Sequence, residues 1–226
     1  RYEFYRAPKA LRTLHLDLAE SGDMACIGMS HMEIDKDSGE NIAVNDFVIV
    51  ISPETSRINL DAICGFIIDL KKLGSIHFYK ITADQYQSSD MLQRLKREGL
   101  NVERLSVDRE TTPYRIIISW ILNEKVKAGK NIFLKNNLLN ITEVQNDKGI
   151  VKIDHTKGQR VYKDHGDWNT SLMGTNAKDA SDAFTGSLYT LVTELNNRIP
   201  QYTWRDIQST ESEDIIYEDI MEKFTA

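Results

Sequence analysis

Four aspartates lie at positions where their side chains could do chemistry. Asp17 ends an apolar strand pattern, and Asp84 lies where a predicted strand passes into a helix. Asp182 lies on a predicted helix three residues after Asp179, so these two side chains point the same way. If the fold brings such carboxylates together, they repel one another and cannot all stay ionised without a cation.

Divalent-metal hydrolysis is the chemistry that such a group of acids supports. Oxygen ligands without sulfur suit Mg²⁺ or Mn²⁺. Two such ions about 3.5–4 Å apart activate a water and stabilise the leaving oxygen of a phosphodiester. The spacing alone leaves a plainer interpretation open, because the chain has 19 aspartates and aspartate commonly caps helix starts.

Other patterns with chemical meaning are weaker. His155 is isolated, which fits a hydrogen-bonded structural histidine as well as a ligand. The sequence has no zinc-type Cys/His spacing, no phosphate-binding loop of a P-loop ATPase and no serine-hydrolase elbow. The basic residues of the stretch 148–163 fit either contact with a phosphate backbone or a solvated surface: Lys148, Lys152, Lys157, Arg160 and Lys163.

The composition is that of a globular protein with an acidic balance. Hydrophobic residues make up 41% and charged residues 27%, which excludes disorder and fibres. With 28 basic and 34 acidic residues, the net charge of −6 argues against binding nucleic acid by bulk electrostatics. Nucleic acid stays open as a partner, because metal ligands are themselves acidic. The apolar runs are too short to cross a bilayer, so we expect no membrane partner.

The predicted elements that position these residues are consecutive strands in the first part of the chain and alternating strands and helices after it. Strands are predicted at 12–18, at 24–33, in a third stretch ending near 51, and at 75–83, 101–107 and 150–153. Helices are predicted at 56–73, at 85–98, from 112 onward and at 178–195. The stretch 131–146 is predicted as a short strand followed by a short helix. Linked hairpin strands followed by alternating strands and helices predict an α/β domain, a mixed sheet with helices on both faces.

Two of these helices have an apolar stripe that predicts their buried face. Thr112 and Pro113 are predicted as N-cap and first residue of the third helix. The predicted inward residues of this helix are Tyr114, Ile117, Ile118, Ile121 and Leu122. Those of the last helix are Ala180, Ala183, Phe184, Leu188 and Leu191. Residues 156–177 read as a long loop, and residues 201–226 as an acidic tail.

Taken in order, six segments resemble the C-terminal nuclease domain of the large terminase subunit of tailed bacteriophages. They are HLDLAESGD at 15–23, ITADQYQS at 81–88, LQRLKREG at 92–99, TPYR at 112–115, VKIDH at 151–155 and KDASDAFTG at 178–186. No single segment is diagnostic, but the ordered set, which spans about 12–195, is specific.

The resemblance implies an RNase H-like fold and a metal-dependent endonuclease that cuts concatemeric viral double-stranded DNA during genome packaging. Carried over, it makes Asp17, Asp84 and Asp182 the catalytic residues and core ligands of two Mg²⁺ or Mn²⁺ ions. It makes Asp23 a supporting acid and Asp179 an auxiliary ligand. Residues 1–200 would form the nuclease domain, and the family's N-terminal ATPase motor domain is absent, in keeping with the start at Arg1.

The resemblance also implies partners and a place of action. The expected partners are double-stranded DNA, the terminase ATPase domain of the same parent chain, the portal protein and the small terminase subunit, in the host bacterial cytoplasm. In many family members the histidine segment runs almost directly into the Lys-Asp motif, whereas here the loop 156–177 intervenes. We expect Lys157, Arg160 and Lys163 of this loop to contact DNA, and the loop could instead regulate access to the site.

Two alternatives stay open at the level of sequence. One is a nuclease of the same fold that acts on branched DNA, like a Holliday-junction resolvase, against which the acidic net charge argues mildly. The other is a non-catalytic RNase H-like module that docks onto the portal or a regulatory subunit. The presence of Asp17, Asp84 and Asp182 argues against the second, because an inactive copy has no reason to keep three repelling acids.

Overall fold

Six strands form one mixed sheet in this computed structural model, which describes residues 7, 9–18, 24–51, 58–73, 76–84, 89–145, 149, 151–155 and 178–196. The strands are β1 (Leu11–Asp17), β2 (Ala25–Ile34), β3 (Asn41–Ile51), β4 (His77–Ala83), β5 (Val102–Arg104) and β6 (Val126–Ala128). Their order across the sheet is β5–β4–β1–β2–β3–β6. Strand β2 is antiparallel to β1 and β3, whereas β4 is parallel to β1, β5 to β4 and β6 to β3.

Helices and one hairpin surround this sheet. The helices are α1 (Leu60–Lys72), α2 (Ser89–Arg97), α3 (Thr112–Leu122), α4 (Ile132–Leu139) and α5 (Asp179–Thr190), the last continued by a π-helical turn, Leu191–Leu195. The hairpin consists of β7 (Ile141–Gln145) and β8 (Val151–His155). Asn59 and Asn131 cap α1 and α4, because each side chain accepts a hydrogen bond from a backbone amide in the first turn.

The two faces of the sheet carry separate cores. Leu14 and Leu16 of β1 pack with apolar residues of α1 and α2 on one face. On the other face, Phe184 and Leu188 of α5 pack with Ile117 of α3 and with residues of α4. The predicted α/β domain with helices on both faces is therefore confirmed.

Helix α5 crosses the middle of the sheet at very short range. A Cβ at Gly28 of β2 would lie 2.2 Å from the carbonyl oxygen of Ala183, and one at Gly186 would lie 2.2 Å from the ring of His15. Real Cβ atoms do not approach other atoms so closely, so both positions need glycine. All five residues predicted to face inward from the last helix are buried: Ala180, Ala183, Phe184, Leu188 and Leu191.

Polar contacts fix α5 against β1 and β2. The hydroxyl of Thr13 donates to the carbonyl oxygen of Ser187 at 2.7 Å, and the hydroxyls of Ser30 and Ser187 lie 2.8 Å apart. His15 Nδ1 lies 2.8 Å from Thr82 Oγ1, and burial lowers the pKa of His15 to about 3, so this histidine is neutral at pH 7. Buried polar groups satisfied in this way set the position of the helix along the sheet.

Three sequence predictions are wrong in detail. Helix α3 begins at Thr112 with Thr111 as its N-cap, and Ile118, Ile121 and Leu122 are 41%, 39% and 77% exposed rather than inward. In the stretch 131–146, a helix precedes a strand, the reverse of the predicted order. The strand predicted at 101–107 is limited to Val102–Arg104, because the chain then turns toward α3.

Candidate metal centre

Asp17 and Asp84 lie side by side at one edge of the sheet. Strands β1 and β4 are parallel neighbours, and Leu16 lies opposite Ala83. Asp17 is the last residue of β1, and Asp84 directly follows the last residue of β4. The amide of Asp84 donates to the carbonyl oxygen of Leu16 at 3.3 Å, which continues the pairing past the strand. The sequence prediction placed Asp84 at this kind of strand end, where α/β proteins gather ligands.

Asp179 and Asp182 approach the same edge from the first turn of α5. Burial raises the pKa of Asp17 well above its usual range, and the charges of Asp182, Asp179 and Asp84 raise it further. Electrostatic effects of this kind weaken with distance, so Asp182, Asp179 and Asp84 are neighbours of Asp17. Their roles as ligands stay a prediction.

Two side chains that the sequence analysis did not single out as site residues hold Asp182. The hydroxyl of Tyr114 on α3 donates to Asp182 Oδ1 at 2.5 Å, and the ammonium of Lys178 donates to Asp182 Oδ2 at 2.7 Å. Burial raises the pKa of Asp182, and both hydrogen bonds oppose that rise. Burial disfavours the charge of Lys178, but the carboxylates of Asp182 and Asp108 outweigh it and raise the pKa of the ammonium.

Asp108 is a fifth acid near the site. Lys178 Nζ lies 2.5 Å from Asp108 Oδ2, and the hydroxyl of Ser106 lies 2.9 Å from Asp108 Oδ1 and 3.2 Å from Asp84 Oδ2. Although burial acts in the other direction, the bond from Lys178 holds the pKa of Asp108 below its usual range. The rule that selected Asp84 could have found Asp108, because Asp108 directly follows the strand predicted to end at Val107.

The chemistry of these donors fits a divalent cation. The gathered side chains offer carboxylate oxygens, and the charge of Asp17 is destabilised in a way that a cation would relieve. Among the residues that the structure describes, however, no three histidine, cysteine, aspartate or glutamate side chains form a ready metal-binding group.

Solved structures share this architecture. The HK97 bacteriophage large terminase aligns with a TM-score of 0.56 at 13% identity over 80% of this chain. The Thermus phage P74-26 large terminase nuclease domain aligns with a TM-score of 0.52 at 12% identity, and 84% of each chain is covered. The large terminase nuclease of thermophilic phage G20c with bound cobalt has a TM-score of 0.50 at 14% identity, with 82% of this chain and 83% of that chain covered.

The chain has the RNase H-like fold of phage large-terminase nuclease domains. It spans 39% of the HK97 large terminase but most of the P74-26 domain, so it corresponds in extent to the nuclease portion. No protein-family model and no curated protein matches the sequence. At these identities the likeness concerns the fold.

Within this terminase nuclease fold, the thiol of Cys26 lies beside the proposed oxygen ligands but is not expected to act as a sulfur ligand. Cys26 lies opposite Asp17 on β2 and is fully buried. Burial raises the pKa of its thiol, and the charges of Asp179, Asp17 and Asp182 raise it further. Because a thiol binds metals as the thiolate, Cys26 stays a protonated neighbour of the site.

Several predicted site residues lie outside the described part of the chain. These are Asp23 and the loop residues Lys157, Arg160 and Lys163. The hairpin that leads into the loop is described, and the amide of Ile153 on β8 donates to the carbonyl oxygen of Asp108 at 3.1 Å. Strand β8 of the hairpin is thus tied to Asp108 near the acidic edge of the sheet. None of the described helices is long and apolar enough to cross a membrane.

Proposed function

We propose that this chain is the nuclease domain of a phage large terminase and cuts concatemeric viral double-stranded DNA during packaging. The observation that carries the proposal is the placement of Asp17 and Asp84 at the ends of neighbouring parallel strands, with Asp179 and Asp182 in the first turn of the helix that packs across the sheet. The fold shared with the HK97 and P74-26 proteins supports it. The reaction would be hydrolysis of a phosphodiester bond.

The proposed centre uses Asp17, Asp84 and Asp182 as ligands of two divalent ions, Mg²⁺ or Mn²⁺, with Asp179 and Asp23 as auxiliary acids. The structure of the G20c nuclease was solved with bound cobalt, which supports a divalent metal here. When bound, such ions lower the pKa of an attacking water and neutralise charge on the departing 3′ oxygen.

The chain's own residues hold the ligands in place. Tyr114 fixes one oxygen of Asp182 from α3, and the hydroxyl of Ser106 supports Asp84. The close packing of α5 on Gly28, with Ala180 and Ala183 against Cys26, supports a position of the first turn of α5 near the end of β1. Side chains that are held before substrate arrives do not need to reorganise during the reaction.

The DNA would approach this edge with help from the loop 156–177. Lys157, Arg160 and Lys163 carry positive charge, which suits contact with backbone phosphates. We also propose the remaining assembly by resemblance: the ATPase domain of the same parent chain, the portal protein and the small terminase subunit, acting in the host bacterial cytoplasm.

Nicking and linearisation of supercoiled plasmid test the proposal. Purified protein is incubated with Mn²⁺, Mg²⁺ or EDTA, alongside Asp84→Asn and Asp61→Asn. Asp61 makes the matched control, because its side chain on α1 is 89% exposed and pairs with Arg94 away from the site. The proposal predicts metal-dependent cutting by the parent and by Asp61→Asn, and none by Asp84→Asn.

The other outcomes separate the alternatives. Cutting that survives Asp84→Asn contradicts the proposed centre. A four-way DNA junction cut much faster than linear duplex of the same sequence favours a resolvase-like nuclease. Absence of cutting on every substrate, with no metal binding by calorimetry, favours a non-catalytic docking module.

A further inference from the structure

The ammonium of Lys178 engages an oxygen of Asp182, which is one of the proposed metal ligands. Tyr114 donates to Oδ1 of that carboxylate, and the Lys178 ammonium lies 2.7 Å from Oδ2. Both oxygens are therefore engaged in a residue whose side chain is only 8% exposed. A cation that uses Oδ2 must displace the ammonium or share the oxygen with it.

The structure also provides a second partner for the displaced ammonium. Asp108 Oδ2 lies 2.5 Å from Lys178 Nζ, and Ser106 steadies the other oxygen of Asp108. The Asp108 side chain is 28% exposed, so it is partly in contact with solvent. Lys178 can thus leave Asp182 without losing its ion pair, since a charged side chain that keeps one buried partner avoids the full penalty of burial.

We infer that Lys178 is a built-in counter-ion that neutralises the acidic cluster in the metal-free protein and competes with the metal for Asp182. Asp108 is the acceptor that keeps its ion pair with Lys178 when Asp182 binds the metal. This inference rests on the proposed function, since it concerns the same centre. Lys178 acts through Asp182 and is a positioning residue.

Metal affinity of the full chain, measured by titration calorimetry with Mn²⁺, tests the inference. Removing a nearby positive charge strengthens the binding of another, so Lys178→Gln should tighten Mn²⁺ binding by about tenfold or more. Lys178→Arg keeps the charge and should stay within about threefold of the parent. Lys72→Gln, at an exposed lysine paired with Glu98, makes the same net-charge change away from the site and should leave the affinity unchanged.

A second readout needs no metal. In EDTA, Lys178→Gln should have a lower melting temperature than Lys72→Gln, because the acids lose their counter-ion. Adding Mn²⁺ should raise the melting temperature of Lys178→Gln by more than it raises that of the parent. Unchanged or weaker Mn²⁺ binding by Lys178→Gln would overturn the inference. It would show that the lysine is needed to orient Asp182 or has no effect on the metal.

The part played by Asp108 is tested by a double-mutant cycle. Asp108→Asn should weaken Mn²⁺ binding in the parent, because the lysine then has only Asp182 as a partner, and should weaken it less in Lys178→Gln. Equal losses in both backgrounds would overturn the role of Asp108 as acceptor.

Failure of this inference is distinguishable from failure of the proposed centre. If the parent binds Mn²⁺ and Asp84→Asn does not, the centre stands, and Lys178→Gln alone decides the inference. If Lys178→Gln binds Mn²⁺ and the parent does not, the lysine blocks the site, which supports the inference. If none of the proteins binds Mn²⁺, both the centre and the inference are overturned.

Discussion

The hydroxyl of Tyr114 lies 2.5 Å from Oδ1 of Asp182, and this hydrogen bond joins α3 to α5 inside the protein. Tyr114 is 1% exposed and Asp182 is 5% exposed, so water cannot easily replace either partner. Burial and the neighbouring carboxylate raise the pKa of Tyr114 well above its usual range, which keeps the phenol protonated as a donor. A core contact thereby sets the orientation of a proposed ligand.

Replacing Tyr114 by phenylalanine should reduce both stability and metal affinity. The variant keeps the ring but leaves a buried carboxylate oxygen without this donor, which costs about 2 kcal/mol of unfolding free energy. Urea denaturation in EDTA and Mn²⁺ calorimetry measure the two effects. Tyr79→Phe removes a hydroxyl that donates to Glu194 elsewhere and should leave Mn²⁺ affinity as in the parent. Equal Mn²⁺ affinity in Tyr114→Phe and the parent would refute a role of Tyr114 in the site.

Gly186→Ala should be strongly destabilising, because the new methyl group would lie 2.2 Å from the His15 ring. Forcing extra volume into a packed core costs about 1–3 kcal/mol or more, and here α5 would move away from the sheet together with Asp182. Gly65→Ala is the matched control, since Gly65 also lies within a helix but its Cβ would meet nothing within 4 Å. That control should gain about 0.5–1 kcal/mol from its better helix propensity. Urea midpoints compare the two, and similar midpoints would contradict the close approach.

The parts of the fold that sequence could predict are those with a strong local period. Strand β1, predicted at 12–18, lies at Leu11–Asp17, and all five residues predicted to face inward from helix α5 are buried. Helix α3 shows the limit of such patterns. Its apolar residues occur on more than one face, and those that pack against other elements are Tyr114, Ile116, Ile117 and Trp120. Which face finds a partner is a tertiary property.

The site could be predicted only in part for a similar reason. Acids at strand ends and a helical pair are visible as types and spacings, and Asp17, Asp84, Asp179 and Asp182 are predicted as site residues on that basis. Lys178 and Tyr114 were visible only as an N-terminal helix residue and as a core aromatic. Their contacts with Asp182 depend on how three segments distant in sequence pack together. Stretch 131–146 could have been better predicted, because Asn131 is a recognisable N-cap.

His15 should make the protein less stable as the pH falls below 7. Its pKa is lowered by burial from 6.5 to about 3, so between these values the unfolded chain takes up a proton that the folded protein does not. Stability from this group is therefore complete above 6.5 and is lost as the pH falls toward 3. From pH 7 to pH 5 the loss is about 2 kcal/mol. Urea denaturation in EDTA should show this slope in the parent, and a flatter one in His15→Asn. Parallel slopes would show that His15 is protonated in the folded state.

Asp17→Asn should stabilise the metal-free protein while removing its response to metal. The pKa of Asp17 is raised well above its usual range by burial and by the neighbouring aspartates, so ionising it opposes folding. Stability from the protonated form is complete below the ordinary pKa and falls as the pH rises toward the folded value, a loss that asparagine avoids. At pH 8 in EDTA, thermal denaturation should therefore give Asp17→Asn a higher melting temperature than the parent.

Saturating Mn²⁺ should then raise the melting temperature of the parent and of Asp61→Asn but not of Asp17→Asn, because only the last lacks a proposed ligand. A lower melting temperature for Asp17→Asn in EDTA would mean that the carboxyl group stabilises the folded protein, and a retained Mn²⁺ response would place the metal on other residues.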